Sequence, residues 1–221
     1  MASNDTTASG VLVVGLGRFG SALADTLDAM DVEVLAVERD ADLVERWSKR
    51  LPVVQADATD PRALEQMGAE EFSAAVVGVG TSLEASVLIT GNLVDIGMPE
   101  IWAKAISTEH ARILRRIGAH HIVFPESDAG ARVAHSVGGR MLDYIEIDEG
   151  FTIVKMKPPL ETHNFSLAEL KLRDKYGVQV IGVMTPGGEF EYGSRATVIH
   201  AEDLLVVGGD GDLVERFAQR P

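Results

Sequence analysis

Short apolar runs alternate with helix-forming segments from Val11 to Phe124, and this alternation restricts the fold more than any other feature of the chain. The runs are rich in Val, Ile and Ala without polar alternation, so the strands that they predict are buried on both faces. Such strands lie in a parallel sheet covered by helices. We therefore predict an α/β fold with a Rossmann-like doubly wound parallel sheet over residues 11–139, preceded by a disordered N-terminus over residues 1–10. The runs are VLVVGLG, VEVLAV, PVVQA, FSAAVVGVG, EIWAKA and HHIVF.

A helix is predicted over residues 126–137, and Gly138-Gly139 ends it and marks a domain boundary. The sequence pattern differs after this boundary and predicts a small α+β domain over residues 140–221. Alternating strands are predicted in YIEIDEGFTIVKMK, VQVIGVM, EFEYG and LLVVGG, with a closing helix over 211–220. Ser166 as N-cap and Glu169 as its capping-box partner predict one helix that ends at Gly177.

Composition excludes several functional classes. The 20 basic and 34 acidic side chains give a net charge of −14, which repels nucleic acid. The absence of cysteine excludes disulfides and thiolate chemistry and fits the reducing cytoplasm. The apolar runs fall far short of the ~20 residues that a membrane-spanning helix needs.

The segment Gly15-Leu16-Gly17-Arg18-Phe19-Gly20 follows a predicted strand and opens a helix, as a dinucleotide-binding loop does. Gly15 allows the tight turn, Gly17 lets the backbone approach a phosphate, and Gly20 lets helix and strand pack closely. The helix N-terminus offers free N–H groups to an anion. Arg18 favours a terminal phosphate, and so ATP or ADP over a dinucleotide. The alternatives are a glycine-rich turn without ligand and an exposed arginine.

Glu38 ends the second predicted strand, eighteen residues after Gly20, where this fold places an acid that binds ribose hydroxyls. Its charge disfavours the 2′-phosphate of NADP, an exclusion that the neighbouring Arg39 weakens. A solvated strand end is the alternative role.

Two further segments lie at the carboxyl ends of predicted strands, where open α/β sheets bind ligands. Asp57-Ala58-Thr59 follows the third strand and Val79-Gly80-Thr81 follows the fourth. We expect both to flank adenine and ribose, with a simple turn or helix cap as an equally good reading of each.

No catalytic arrangement is recognisable in the sequence. The six histidines lack metal-binding spacing, and no serine lies in a GxSxG elbow. An NAD-dependent oxidoreductase is the alternative function, since the glycine loop and Glu38 fit it equally well. Lys104 is then the candidate acid or base at the hydride site. A redox-sensing repressor is opposed by the negative charge and by the ten residues before the first strand.

In the order GLGRFG, AVERD, ADATD, VGVGTSLEAS, IWAKA and RRIGAHHIVFPESD, these motifs resemble the regulatory subunits of Ktr/Trk-type potassium uptake systems, the RCK proteins. The resemblance covers 11–220 and implies an RCK-N domain followed by an RCK-C domain. It also implies a cytoplasmic homo-oligomer, in which dimers assemble into an octameric ring. Such a ring binds ATP or ADP, or alternatively NAD or NADH, and gates a separate potassium-conducting membrane subunit without being an enzyme.

The resemblance also implies roles for individual residues. Glu38 stands where relatives more often have Asp, and Asp57 stands where some have Asn. The implied nucleotide contacts are Gly15, Gly17, Arg18, Phe19, Gly20, Glu38, Arg39, Asp40, Asp57, Ala58, Val79, Gly80, Thr81, Lys104, Ala105 and His110.

Two further ligands are implied by the resemblance. Glu126 matches an acid that holds a divalent cation, Mg²⁺ or Ca²⁺, against the phosphates across the dimer interface. A charge that favours a helix N-terminus is the alternative. Cyclic di-AMP would bind between two C-terminal domains, whereas an ordinary dimerising helix is the simpler reading of that segment. The residues in question are Leu167, Ala168, Leu170 and Arg173.

Overall fold

The computed structural model of the chain describes residues 9–137, 140–148 and 150–221. The chain divides into two compact units, one that ends at Glu126 and one from Ser127 to Pro221. The predicted disordered segment lies outside the described residues except for its last two positions. The predicted boundary at Gly138-Gly139 also lies outside them.

The first unit contains one six-stranded sheet. The strands are β1 (Val11–Val14), β2 (Val34–Glu38), β3 (Val53–Gln55), β4 (Ala74–Val77), β5 (Ile101–Lys104) and β6 (His121–Val123). The helices are α1 (Arg18–Ala29), α2 (Ala41–Trp47), α3 (Pro61–Gln66), α4 (Leu83–Asp95) and α5 (Thr108–Ile117). Neighbouring strands are parallel in the order β3-β2-β1-β4-β5-β6. This is the order of a Rossmann sheet, so the predicted fold class is confirmed.

Strand β1 shows why the apolar runs lack polar alternation. Successive side chains of a strand point to opposite faces of the sheet. Leu12 and Val14 belong to one hydrophobic cluster, together with Ile89, whereas Val13 belongs to another, together with Ala24. Because both faces of the sheet are covered, the side chains of Leu12, Val13 and Val14 are all buried.

Helix α1 begins at Arg18, inside the glycine loop that was predicted to open it. Gly17 is the N-cap residue, and no side chain of the described residues caps this end of the helix. The loop Gly15–Gly20 therefore supplies the first turn of α1, whose N–H groups have no side-chain partner there.

The second unit is built on a five-stranded antiparallel sheet in the order β10-β9-β11-β8-β7, where the strands are β7 (Met141–Asp148), β8 (Phe151–Met156), β9 (Val178–Met184), β10 (Phe190–Tyr192) and β11 (Leu204–Gly209). Its helices are α7 (Leu167–Leu170), α8 (Leu172–Tyr176) and α9 (Gly211–Ala218), and α6 (Pro125–Val137) runs across the border between the units. Val214 and Phe217 of α9 join the core of the sheet. The predicted α+β class is confirmed. Among the described helices, none combines the length and the apolar character needed to cross a membrane.

The single helix predicted from Ser166 to Gly177 is wrong in one respect, because α7 and α8 are separate. The predicted capping box between Ser166 and Glu169 is present, but Lys171 has a left-handed backbone with φ of 47°. Leu170 and Leu172 on either side of it are both buried. In one continuous helix, residues two apart do not face the same side, so the break lets both leucines enter the core.

Candidate functional site

A cavity of about 500 Å³ opens at the carboxyl ends of β1 to β4 in the first unit. Its size lies within the range of small-molecule sites, roughly 300–1,000 Å³. Nine predicted residues line it: Gly15, Gly17, Glu38, Arg39, Asp40, Asp57, Ala58, Val79 and Thr81. The remaining lining residues are Val14, Val37, Leu43, Ala56, Thr59, Ser82, Ala85 and Ile89.

The three glycines of the loop differ in the space around them. Gly15 has φ of +93°, and a Cβ there would lie 2.9 Å from the Val79 side chain. A Cβ on Gly20 would overlap the carbonyl oxygen of Gly15. A Cβ on Gly17 would meet nothing within 4 Å. The backbone at Gly17 is therefore open to an approaching anion, while the other two glycines let strand and helix pack together.

The Glu38 carboxylate binds backbone amides of the glycine loop and of the residues that follow β2. Its Oε2 accepts a hydrogen bond from Leu16 N at 2.7 Å, and its Oε1 accepts from Arg39 N at 2.7 Å and from Asp40 N at 2.9 Å. A carboxylate has about four acceptor sites, so one remains for a ribose hydroxyl. The sequence did not predict that Glu38 ties the glycine loop to the end of β2.

Asp57 closes the turn after β3. Its Oδ1 accepts hydrogen bonds from Thr59 N at 3.0 Å and Thr59 Oγ1 at 2.7 Å, and its Oδ2 lies 3.8 Å from Arg39 Nη1. The hydrogen bonds from Thr59, together with the Arg39 charge, lower the pKa of Asp57 below its ordinary value. Asp57 is therefore a turn residue that also lines the cavity, and its contact with a nucleotide stays a prediction.

Asn92 is a residue that sequence reasoning missed. From α4 its Nδ2 donates to the carbonyl oxygens of Ala58 and Thr59 at 3.1 and 3.0 Å. These bonds hold the loop after β3 against α4. The available signal was an amide side chain inside the otherwise apolar segment ASVLITGNLVD.

Lys104 and Glu126 form an ion pair beside the cavity rather than in its wall. Lys104 Nζ donates to Glu126 Oε1 at 2.5 Å. The Lys104 side chain is 11% exposed and that of Glu126 is 60% exposed. The hydrogen bond from Lys104 lowers the pKa of Glu126, with a smaller contribution from the Arg18 charge. Phe19 and Gly80 flank the ammonium, since the Phe19 ring centroid lies 6.0 Å from Nζ and a Cβ on Gly80 would lie 3.3 Å from it.

His110 and Ala105 are buried and do not line the cavity. His110 Nδ1 accepts a hydrogen bond from Ile106 N at 3.4 Å, and burial lowers the pKa of the imidazole. Its Nε2 is buried without a hydrogen-bond partner in the part of the chain that the structure describes. Within one copy of the chain, His110 is a neutral core residue in the first turn of α5.

The predicted cation site at Glu126 does not fit the residues of a single copy. Within residues 9–137, 140–148 and 150–221, no group of three or more His, Asp or Glu side chains could hold a metal ion. The one carboxylate at this position already binds the Lys104 ammonium. Cation binding by Glu126 stays a prediction, and it would require ligands from outside this copy.

A second cavity of about 510 Å³ lies in the second unit, between α7, α8 and β9. Leu167, Ala168 and Arg173 line it, whereas Leu170 is buried and is not part of the lining. Sequence reasoning missed its two other cationic residues, Lys171 and Arg195.

Comparison with known protein families identifies the first unit. The profile of the family described as TrkA-N domain matches residues 11–125. The chain belongs to the TrkA-N domain family. It is also 36% identical over 211 residues to Ktr system potassium uptake protein C of Bacillus subtilis (strain 168), a match over 94% of this chain and 95% of the relative. The TrkA-N domain contains every residue of the first cavity.

Solved structures also resemble the chain. The GsuK RCK domain matches 98% of this chain with a TM-score of 0.69 and 19% identity. The match covers 49% of the GsuK chain, so this chain spans about half of that protein's length. A structure of GsuK bound to ADP matches 60% of this chain and 34% of that chain, with a TM-score of 0.52 and 25% identity. These likenesses agree with a Rossmann-type TrkA-N domain followed by an antiparallel second unit.

Proposed function

We propose that the chain is a cytoplasmic regulatory subunit of a potassium uptake system, and that an adenine nucleotide in the TrkA-N cavity controls potassium flux through a separate membrane subunit. The observation that carries the proposal is that the open glycine loop and the Glu38 carboxylate bound to it line one cavity. The similarity to a Ktr system protein over nearly the whole chain supports the transport role.

The cavity offers a distinct surface to each part of a nucleotide. The N-terminus of α1 suits phosphate oxygens, because no side chain in the described part of the chain caps it and a Cβ on Gly17 would meet none of the described atoms within 4 Å. Glu38 has one acceptor site left for a ribose hydroxyl. Leu43, Ala56 and Ile89 supply apolar surface for a base. Backbone N–H groups, one carboxylate and an apolar surface together can bind a nucleotide.

ATP and ADP are the proposed physiological ligands, with NAD or NADH as alternatives. The related GsuK has been solved with ADP bound. Shifting a two-state assembly from 1:99 to 99:1 takes about 5.5 kcal/mol. In a ring of eight copies, each site then has to contribute about 0.7 kcal/mol, less than one charge-assisted hydrogen bond of ~1.5–3 kcal/mol. The difference of one phosphate group beside Arg18 between ATP and ADP is sufficient to supply this free energy.

The assembly and its location belong to the same proposal. Regulation of a membrane subunit requires the chain to lie at the inner face of the membrane through that partner. We propose a homo-oligomer in which dimers form an octameric ring. The net charge of −14 speaks against nucleic acid as a further partner.

The second cavity is the proposed site for cyclic di-AMP. Lys171, Arg173 and Arg195 give it three positive charges, against one negative charge from Asp174. Two phosphates of a cyclic dinucleotide suit such a lining, because guanidinium groups bind phosphate oxygens in pairs. An oxidoreductase has no comparable support, since the Lys104 ammonium, its candidate acid or base, is bound to Glu126.

Thermal unfolding with and without ligand tests the nucleotide proposal. A ligand at one hundred times its dissociation constant adds about 2.7 kcal/mol, and we expect ATP and ADP to raise the melting temperature. In the Gly17→Val variant valine can adopt the φ of −64°, and its Cβ would meet no described atom within 4 Å, yet the side chain covers the proposed phosphate position. Valine is a poorer N-cap than glycine, so the variant without ligand should melt somewhat below the wild type, and it should lose the stabilisation by nucleotide.

The matched control for this test is Gly187→Val, the same change in an exposed turn of the second unit. It should retain the full response to nucleotide. Cyclic di-AMP added to Gly17→Val should still stabilise that variant, since its proposed site is separate. A response to ATP that is equal in the wild type and Gly17→Val would refute phosphate binding at the loop.

A further inference from the structure

The Lys104–Glu126 pair places a carboxylate beside the phosphate loop. Lys104 ends β5, and Glu126 is the second residue of α6, which follows β6. Their side chains meet at 2.5 Å, and the Phe19 ring of the loop lies within 6.0 Å of the ammonium. The Arg18 charge also acts on Glu126. The carboxylate is therefore paired with an ammonium that can equally bind a nucleotide phosphate.

We propose that Glu126 is a tethered competitor of the nucleotide phosphates for Lys104, so that a nucleotide whose phosphates reach Lys104 must first break the Lys104–Glu126 pair. The inference rests on the proposed nucleotide site and specifies how that site distinguishes one phosphate number from another.

The low exposure of Lys104 explains why replacing its anionic partner by another anion is favoured over losing the partner altogether. Its side chain is only 11% exposed, and an ammonium so largely shielded from water is costly without an anionic partner. Among the described residues, Glu126 is the one acid within ion-pair distance of it. A phosphate oxygen is an equivalent partner, because carboxylates and phosphates both accept charge-assisted hydrogen bonds. The ammonium thus stays paired when a phosphate replaces the carboxylate.

The Glu126 carboxylate can leave the ion pair and move into water, whereas the Lys104 ammonium cannot. Its side chain is 60% exposed and lies on the first turn of α6, so the released carboxylate is solvated by water. Gly80 leaves room for the Lys104 side chain, because a Cβ on Gly80 would lie 3.1 Å from Cε of Lys104. Glu126 is also the last residue of the first unit, and α6 continues into the second. Breaking the pair therefore changes the side-chain contacts at the start of that helix.

The experiment measures the affinity of purified full-length protein for ATP, ADP and AMP by titration calorimetry in EDTA. Glu126→Gln removes the competitor and leaves Lys104 in place, so ATP should bind about tenfold more tightly while AMP is unchanged. Lys104→Met should weaken the binding of ATP by about the same factor and again leave the affinity for AMP unchanged. In the double variant, Glu126→Gln should bring no gain.

Glu100→Gln is the matched control, because it removes the same charge from the same unit and Glu100 pairs with His121 instead. It should bind ATP like the wild type. Tighter ATP binding by Glu126→Gln that disappears with Lys104→Met supports the competition. Unchanged or weaker ATP binding by Glu126→Gln overturns it, even where AMP binds normally. Binding of no nucleotide by the wild type would instead overturn the proposed function and this inference together.

Discussion

Replacing Glu38 by Gln tests the carboxylate that joins the glycine loop to β2. An amide has one oxygen and one NH₂ group, so it cannot accept from Leu16 N on one side and from Arg39 N and Asp40 N on the other. The Arg39 and Asp40 amides are exposed and become hydrated, whereas the bond to Leu16 N is partly buried. Losing one hydrogen bond to a charged group costs about 2 kcal/mol.

Tryptophan fluorescence during urea unfolding measures this loss in the first unit alone. Both tryptophans of the chain, Trp47 and Trp102, belong to that unit. We expect Glu38→Gln to unfold at lower urea concentration with an unchanged slope, and its melting temperature to fall by roughly 4–8 °C. Glu45→Gln, an exposed change on α2, should unfold like the wild type. An unchanged midpoint for Glu38→Gln would show that the carboxylate does not hold the loop.

Two further predictions concern the second unit. The Lys171→Gly substitution should raise the free energy of unfolding of this unit by about 1 kcal/mol, because glycine adopts the left-handed φ of 47° without the cost that a side chain brings. A lower melting temperature of the variant would contradict this. The hydrogen bonds from Arg220 lower the pKa of Glu161, so this pair stabilises the fold above the ordinary pKa of a glutamate and loses its effect as pH falls through the lowered value. Arg220→Ala should therefore be less stable than the wild type at pH 7, and the difference in urea midpoint should shrink towards pH 3; a difference independent of pH would argue against the pair.

The strands of the first unit were predictable because their signal is local. Leu12, Val13 and Val14 are apolar in succession, and a short run rich in β-branched residues favours a strand that is covered on both faces. The start of α1 was less predictable, because glycines have a low helix propensity and yet the first turn includes Gly20. Packing decides that position, since Gly20 lies against the carbonyl oxygen of Gly15.

The break between α7 and α8 shows where local signals fail. Ser166 and Glu169 start the helix as their spacing predicts, and Gly177 ends the segment. Nothing in the pattern marks Lys171 as a left-handed residue. The break follows from the burial of Leu170 and Leu172 together, which depends on the sheet that they pack against.

The sequence by itself determined the order of strands and helices, the glycine loop at the end of β1 and the acid at the end of β2, because each depends on residues that are neighbours along the chain. Only the tertiary structure decided which groups those residues bind. Glu38 turns to the amide of Leu16, and Lys104 pairs with Glu126, in each case across 22 positions of the chain. Such partners meet because parallel strands bring their carboxyl ends to one edge, and the choice among charged groups at that edge depends on distance and burial, which no spacing in a sequence encodes.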